Sequence, residues 1–353
     1  MPRRKFIKDA VFSTTGMLLP ATGHAAARET VGSPSSGIDG SRIKNETFKF
    51  ITRCAREDGG YAPSPDPAYQ GNSDTAASDL AAVTYAATLA RSAGWKLPRE
   101  EVTVAFIQSH QKPDGSFINH GGKFDSKGEL ALLYNTTQGV VALRALGEKP
   151  KYRAVQVLDR FFTKNAFQQL PWYTTSFFPL FYAALDEPFP PEYRAAIRDH
   201  MVKSQAEDGY LGNHVAAAFH MAHFFRLIGE ATPRAAAMVD RVLRDQRADG
   251  GWNIKQPDWD VHACFDAVFI LRQLGGDSER CRAAIGKAAQ WVLGCRNADG
   301  GFGHYSGWHS DMDAVYFQFG TLIQAKQIPG VDYDFPAGHV LSWGHVMKPG
   351  KKY

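Results

Sequence analysis

The chain has 353 residues, 44% of them hydrophobic and 22% charged, so it has ample apolar material for a sizeable core and cannot be read as disordered or fibrous. Lys and Arg number 40 against 36 Asp and Glu, and Arg3, Arg4, Lys5 and Lys8 against Asp9 place most of the +4 surplus in the first 27 residues. The rest is almost neutral, which excludes nucleic-acid binding as the expected mode, because that mode needs a clustered basic surface to displace counterions.

In chain order, the first element is a leader. Met-Pro-Arg3-Arg4-Lys5-Phe6-Ile7-Lys8 is followed by an apolar run from Ala10 to Leu19 and by Ala25-Ala26-Ala27. This is the charged, apolar and small-residue order of a secretory signal, and its paired arginines resemble a twin-arginine export signal. The expectation is a signal over residues 1–27, a linker over 28–40, a helical domain over 41–328 and a C-terminal extension over 329–353. An exported, periplasmic or extracellular location follows. No later run reaches the ~20 apolar residues of a spanning helix. Cys54, Cys264, Cys281 and Cys295 contain no close pair and read as core residues.

From residue 58 onward a turn recurs: Asp58-Gly59-Gly60-Tyr61, Asp114-Gly115-Ser116-Phe117, Asp208-Gly209-Tyr210, Asp249-Gly250-Gly251-Trp252 and Asp299-Gly300-Gly301-Phe302. Asp bonds nearby backbone donors and Gly supplies positive φ, with Gly251 expected there; the aromatic packs the turn. Amphipathic stretches at roughly 41–56, 98–111, 152–165, 191–205, 233–246 and 278–296 alternate with more apolar ones at 74–92, 135–146, 174–185, 214–228, 260–274 and 311–327. A helix apolar nearly all round belongs inside, and an amphipathic one outside with a wet face. Six such pairs predict an all-α, α6/α6 double-ringed toroid. The third unit has Leu170-Pro171-Trp172-Tyr173 where the others have Asp-Gly.

The turns with their preceding residues, Gln246-Arg247-Ala248-Asp249-Gly250-Gly251-Trp252 and Arg296-Asn297-Ala298-Asp299-Gly300-Gly301-Phe302, resemble those of the prenyltransferase and squalene cyclase repeat family. The resemblance spans residues 41–328 and implies the toroid more strongly than any one reaction.

Counting back from the ends of the inner helices puts Asp79, His214, Asp260 and Asp313 at one register, near helix N-termini that face one mouth of a closed ring. Asp311-Met312-Asp313 and Asp258-Trp259-Asp260 then repeat each other, and His262, Tyr134, Trp308 and His309 fall nearby. Capping accounts for any single Asp at a helix start. It does not call for His214, His262 and His309 on the same rim. His220 and His223, deeper in the fourth inner helix, read as satisfied core histidines. Tyr134, Trp172, Tyr173, His214 and Trp308 are the candidate ligand-binding residues.

Two chemistries fit this rim. The resemblance to prenyltransferase β-subunits places a metal, zinc or another divalent ion, on Asp260, His262 and Asp313, although the family's thiolate and histidine ligands are replaced. The resemblance to class II terpene cyclases makes Asp311-Met312-Asp313-Ala314 an Asp-x-Asp-Asp motif lacking its last Asp, with Asp313 as general acid. His309 is the candidate donor to its anion, and Asp79, on the same rim, is a further catalytic candidate. The leading expectation is an isoprenoid or other apolar ligand in a central pocket. Alternatives are a carbohydrate-active lyase or hydrolase on the same architecture, with Trp172 and Trp308 stacking on sugar, and a binding module without turnover. A greasy aromatic pocket favours the first, an open groove with exposed tryptophans the second, and a filled centre the third. Dinucleotide, phosphate-loop, nucleophile-elbow and Cys-x-x-Cys signatures are missing from the sequence. A helical partner subunit is neither required nor excluded by it.

Overall fold

The computed structural model describes residues 38–71, 73–121, 128–163, 165–254 and 263–331. The leader, most of the linker, nearly all of the C-terminal extension, Asp260 and His262 lie outside them. Among the described residues there are thirteen α-helices, two short 3₁₀ turns and no strand beyond four isolated bridges. None of these helices is long and apolar enough to cross a membrane.

Six helices form the inner ring: α3 (Asp79–Ala93), α5 (Glu129–Ala145), α7 (Phe177–Ala184), α9 (Val215–Leu227), α11 (Cys264–Leu274) and α13 (Met312–Gln324). Each packs on the next, and α13 packs back on α3, so the ring closes. The outer ring is α1 (Gly40–Cys54), α4 (Glu100–Ser109), α6 (Val155–Thr163), α8 (Pro191–Ser204), α10 (Ala235–Asp245) and α12 (Glu279–Leu293). All residues of α13 are buried, whereas only Met238, Val239 and Val242 are buried in α10. The difference between an all-round apolar helix and an amphipathic one has therefore sorted the two rings as expected. The remaining helix, α2 (Asp74–Ala77), is a single turn broken from α3 by an extended Ser78.

The turns hold neighbouring units together. In each, the Asp Oδ1 accepts the backbone N–H two residues on, at 2.9–3.1 Å in the turns of Asp58, Asp114, Asp208, Asp249 and Asp299. The first glycine has positive φ: +89° at Gly59, +87° at Gly115 and Gly209, +96° at Gly250, +83° at Gly300. Gly251 is not among the positive-φ residues, which corrects the expectation for it; its hydrogen faces the Trp291 ring instead. Each strained glycine lies against the backbone at the next outer helix: Val102, Arg153, Met238 and Lys287, and finally Glu46 of α1 for Gly300. The last unit thus docks on the first by the same contact that joins the others. Arg53 donates to the Asp299 carbonyl at 2.6 Å and Arg296 pairs with Glu46 across that seam. The turn aromatics Tyr61, Phe117, Tyr210, Trp252 and Phe302 are all buried. The third unit, without an Asp-Gly turn, uses two 3₁₀ segments, Ala166–Gln169 and Trp172–Thr174, and has the shortest inner helix.

A candidate acid site at the inner-helix N-termini

Asp311 is the N-cap of α13; its Oδ1 accepts the Ala314 N–H at 2.7 Å, so capping is real here. Its other oxygen accepts from the Tyr69 hydroxyl and lies 3.3 Å from His304 Nε2. Asp313, two residues into the helix, has no exposed surface, and its Oδ2 is 3.4 Å from the same His304 Nε2. Burial, followed by the charges of Asp74 and Asp311, pushes the Asp313 carboxyl well above the ordinary carboxylate range. Two carboxyls and an imidazole therefore converge, with their ligating atoms all within 4.8 Å of one another.

Asp74, fully buried at the start of α2, is the third acid of the group. Its Oδ2 accepts from the Tyr85 and Tyr134 hydroxyls, both at 3.3 Å. From there an aromatic belt runs round the inner ring. Tyr134 lies 6.3 Å from Phe177, Phe177 5.3 Å from His220, His220 4.8 Å from Phe219 and Phe219 5.9 Å from Phe265. Phe265 lies 5.8 Å from Tyr316, which stacks at 4.1 Å on Tyr85 and brings the circuit back to Asp74. Every member has 0–1% exposure.

The structure sorts the sequence candidates. Asp313 and Tyr134 belong to the group, and Tyr173, tilted on half-buried His214 at 5.8 Å, is close enough to Asp74 that burial and that charge push its hydroxyl up to about 12. His214 caps α9, its Nδ1 accepting the Ala217 N–H at 3.2 Å. Trp172 stacks on His200 of α8 at 4.4 Å, and Trp308 tilts on Tyr305 at 4.9 Å; both are half-buried, not displayed as sugar platforms. His309 is exposed and faces Asp66 at 4.0 Å, so it does not supply the donor expected beside Asp313. His304 stands there instead.

Asp79 is turned away to a different group. Its Oδ2 accepts from His110 Nε2 at 3.0 Å and from the Gly121 N–H at 2.9 Å, in a surface cleft of about 550 Å³ lined also by Arg56, Phe106 and His120. Burial opposes its charge, but the bonds from His110 and from the backbone N–H groups of Gly121 and His120 outweigh it and hold the carboxyl below its ordinary range.

The counted register also needs correction. The Asp311 N–H bonds the Phe302 carbonyl, and the equivalent bond to the Trp252 carbonyl comes from Ala263, whereas the counted register makes Asp258 the counterpart of Asp311. The counted register is therefore five positions out there, and Phe265, not Asp260, is the counterpart of Asp313. Asp79, His214 and Asp313 are likewise first-turn, capping and second-position residues of their helices, not equivalents. Asp74, His304, Tyr69 and Tyr85 were not anticipated. One signal was available for His304: residues two past a turn aromatic lie beside inner-helix starts, as the Pro63 carbonyl does on Met312 N–H and the Ile254 carbonyl on Val215 N–H.

The sequence model of the prenyltransferase alpha-alpha toroid domain matches residues 34–136 and 126–335. The chain belongs to this family. Among solved structures, it is similar to protein geranylgeranyltransferase-I from Candida albicans complexed with GGPP, with a TM-score of 0.55 at 12% identity over 80% of this chain and 90% of that one. It is also similar to an apo type II terpene cyclase from Scytonema, at 0.50 and 16% over 81% and 97%, and to a protein from Actinoplanes, at 0.51 and 15% over 81% and 98%. At these identities the likeness is one of fold. No curated protein matches the chain significantly. A shared toroid does not fix a reaction.

Proposed function

We propose that this toroid protein binds an isoprenoid ligand within its inner ring and acts on it by acid catalysis, with Asp313 as the proton donor. The observation that carries the reading is a fully buried carboxyl, its pKa pushed well above the ordinary carboxylate range by burial and by two neighbouring acids, at the rim of a continuous aromatic belt. The step is simple in its balance. The Asp313 proton goes to an alkene carbon, the alkene π pair forms the new C–H bond, the positive charge remains on the more substituted carbon, and Asp313 is left as carboxylate. His304, 3.4 Å away, is placed to donate to that carboxylate as it forms. The faces of Tyr85, Tyr316 and Phe265 favour a cation over water, at about 0.5–2 kcal/mol per ring. The strongest charges acting on Asp313 are acidic, the wrong sign for a diphosphate, which favours acid-initiated chemistry over prenyl transfer.

A metal-assisted reading has its own support in the same residues. His304, Asp311 and Asp313 form an imidazole and two-carboxylate set suited to an oxygen-preferring divalent ion, which would act as a Lewis acid. They do not suit the family's thiolate-bound zinc, since the set contains no cysteine. A binding module without turnover is favoured by the close burial of the belt side chains against one another.

The test is incubation of the purified protein with geranylgeraniol or squalene, followed by extraction and mass spectrometry. Wild type is expected to give an isomerised or cyclised product, and Asp313→Asn to bind the ligand and give none. Binding without conversion in wild type would select the binding module, and no binding at all would overturn the isoprenoid reading.

A further inference from the structure

His220 and His223 occupy successive turns of α9 with no exposed surface. Their Nδ1 atoms converge on one hydroxyl, Ser176 Oγ, at 2.7 and 3.1 Å. Each ring is anchored at that edge only; neither Nε2 has a hydrogen-bond partner among the described residues. These are therefore not the satisfied core histidines the sequence suggests.

The proton count fixes what the pair presents. Burial lowers the pKa of both rings, to about 3 for His223, so both are neutral and each carries one ring hydrogen. The serine has one hydroxyl hydrogen, and the two Nδ1 atoms are the acceptors it meets. Ser176 accordingly donates to one Nδ1 and accepts the N–H of the other. It follows that one Nε2 carries a hydrogen and the other a lone pair. A donor and an acceptor are thus left on the ring edges away from Ser176, and both are buried.

Their surroundings are those of the belt. His220 packs on Phe177 and Phe219, and His223 stacks on Phe219 at 5.7 Å and meets Phe269 edge-on at 5.7 Å. His220 lies six residues past the N-cap of α9, whereas Asp313 lies two past that of α13. At 1.5 Å per residue the histidines are about 6–10 Å deeper than the acid. A carbonyl satisfies only the N–H and an ammonium only the lone pair; a hydroxyl satisfies both. Building on the isoprenoid reading above, we propose that Ser176, His220 and His223 form a hydroxyl-recognition subsite, and that the ligand is an isoprenoid alcohol held by its polar end below Asp313.

The test compares geranylgeraniol with the hydrocarbon of the same chain lacking the hydroxyl, by titration of the full chain against each. Wild type is expected to prefer the alcohol by about tenfold or more, the discrimination available to a site built to bond a hydroxyl. That ratio should fall toward one in Ser176→Ala and in His223→Phe, each first shown to melt cooperatively. A ratio near one in wild type, or a preference retained in both variants, would overturn the subsite while leaving the isoprenoid reading intact. Failure of wild type to bind either compound would overturn both.

Discussion

Asp313 is the residue on which the proposed chemistry turns, and its burial has a thermodynamic consequence that can be read without a substrate. Burial, followed by the charges of Asp74 and Asp311, raises its native pKa above the unfolded one, so over the pH range between the two the native state holds a proton that the unfolded state has released. The native fold is therefore penalised as pH rises above the unfolded carboxyl value, by about 1.4 kcal/mol for each unit of difference. Asp313→Asn, neutral at every pH, is expected to be more stable than wild type in urea at pH 7, with the advantage vanishing near pH 4. An advantage independent of pH would show that Asp313 is ionised in the fold. That an acid would stand here was legible in the sequence, since Asp311-Met312-Asp313 opens an evidently inner helix. Its companions were not. Asp74 enters the group only because Ser78 breaks the first inner stretch into α2 and α3 and turns Asp79 outward to His110. His304 reaches it from a loop, where side-chain direction has no period to betray it.

At the scale of elements, the same two periodicities that separated inner from outer helices were visible in the sequence and were realised. The bonds between units were less visible, because they join side chains to carbonyls about 40 residues away. Gln246 is the clearest case. Its Nε2 donates to the Gly250 carbonyl of its own turn at 3.0 Å and to the Ala284 carbonyl of α12 at 2.9 Å; Gln205 and Gln111 do the same one and three units earlier. Gln246→Ala should remove both bonds and leave a partly buried carbonyl without its donor, at a cost of about 1–2 kcal/mol in urea denaturation. A change below a few tenths would mean that the glutamine only decorates the turn. Register was lost at this scale for a physical reason. Counting from helix ends assumes equal lengths, and α9, α11 and α13 have 13, 11 and 13 residues.

For the whole molecule, closure is what places residues from α2, α13 and the loop before α13 beside one another. Six pairs suggested it in the sequence, but periodicity is indifferent to whether the ends meet; Gly300 against Glu46 and α13 against α3 show that they do. In a closed ring the seam is one joint among six, whereas an open array would depend on it little. Gly250→Val and Gly300→Val, each forcing a β-branched residue into positive φ against a backbone carbonyl, should therefore destabilise the protein alike, each on the order of 3 kcal/mol. A harmless Gly300→Val beside a damaging Gly250→Val would mean that the ring is open in solution.

In the proposed function the closed ring matters through one property: it buries the Asp313 carboxyl and so raises its pKa well above the ordinary carboxylate range. The direct measurement is the infrared difference spectrum, wild type minus Asp313→Asn at pH 7, in the region of the carbonyl stretch of a protonated carboxyl. The proposed acid predicts a band present in wild type and lost in the variant. Superimposable spectra would mean that Asp313 is ionised, as it would be on a divalent ion, and would contradict its assignment as the proton donor.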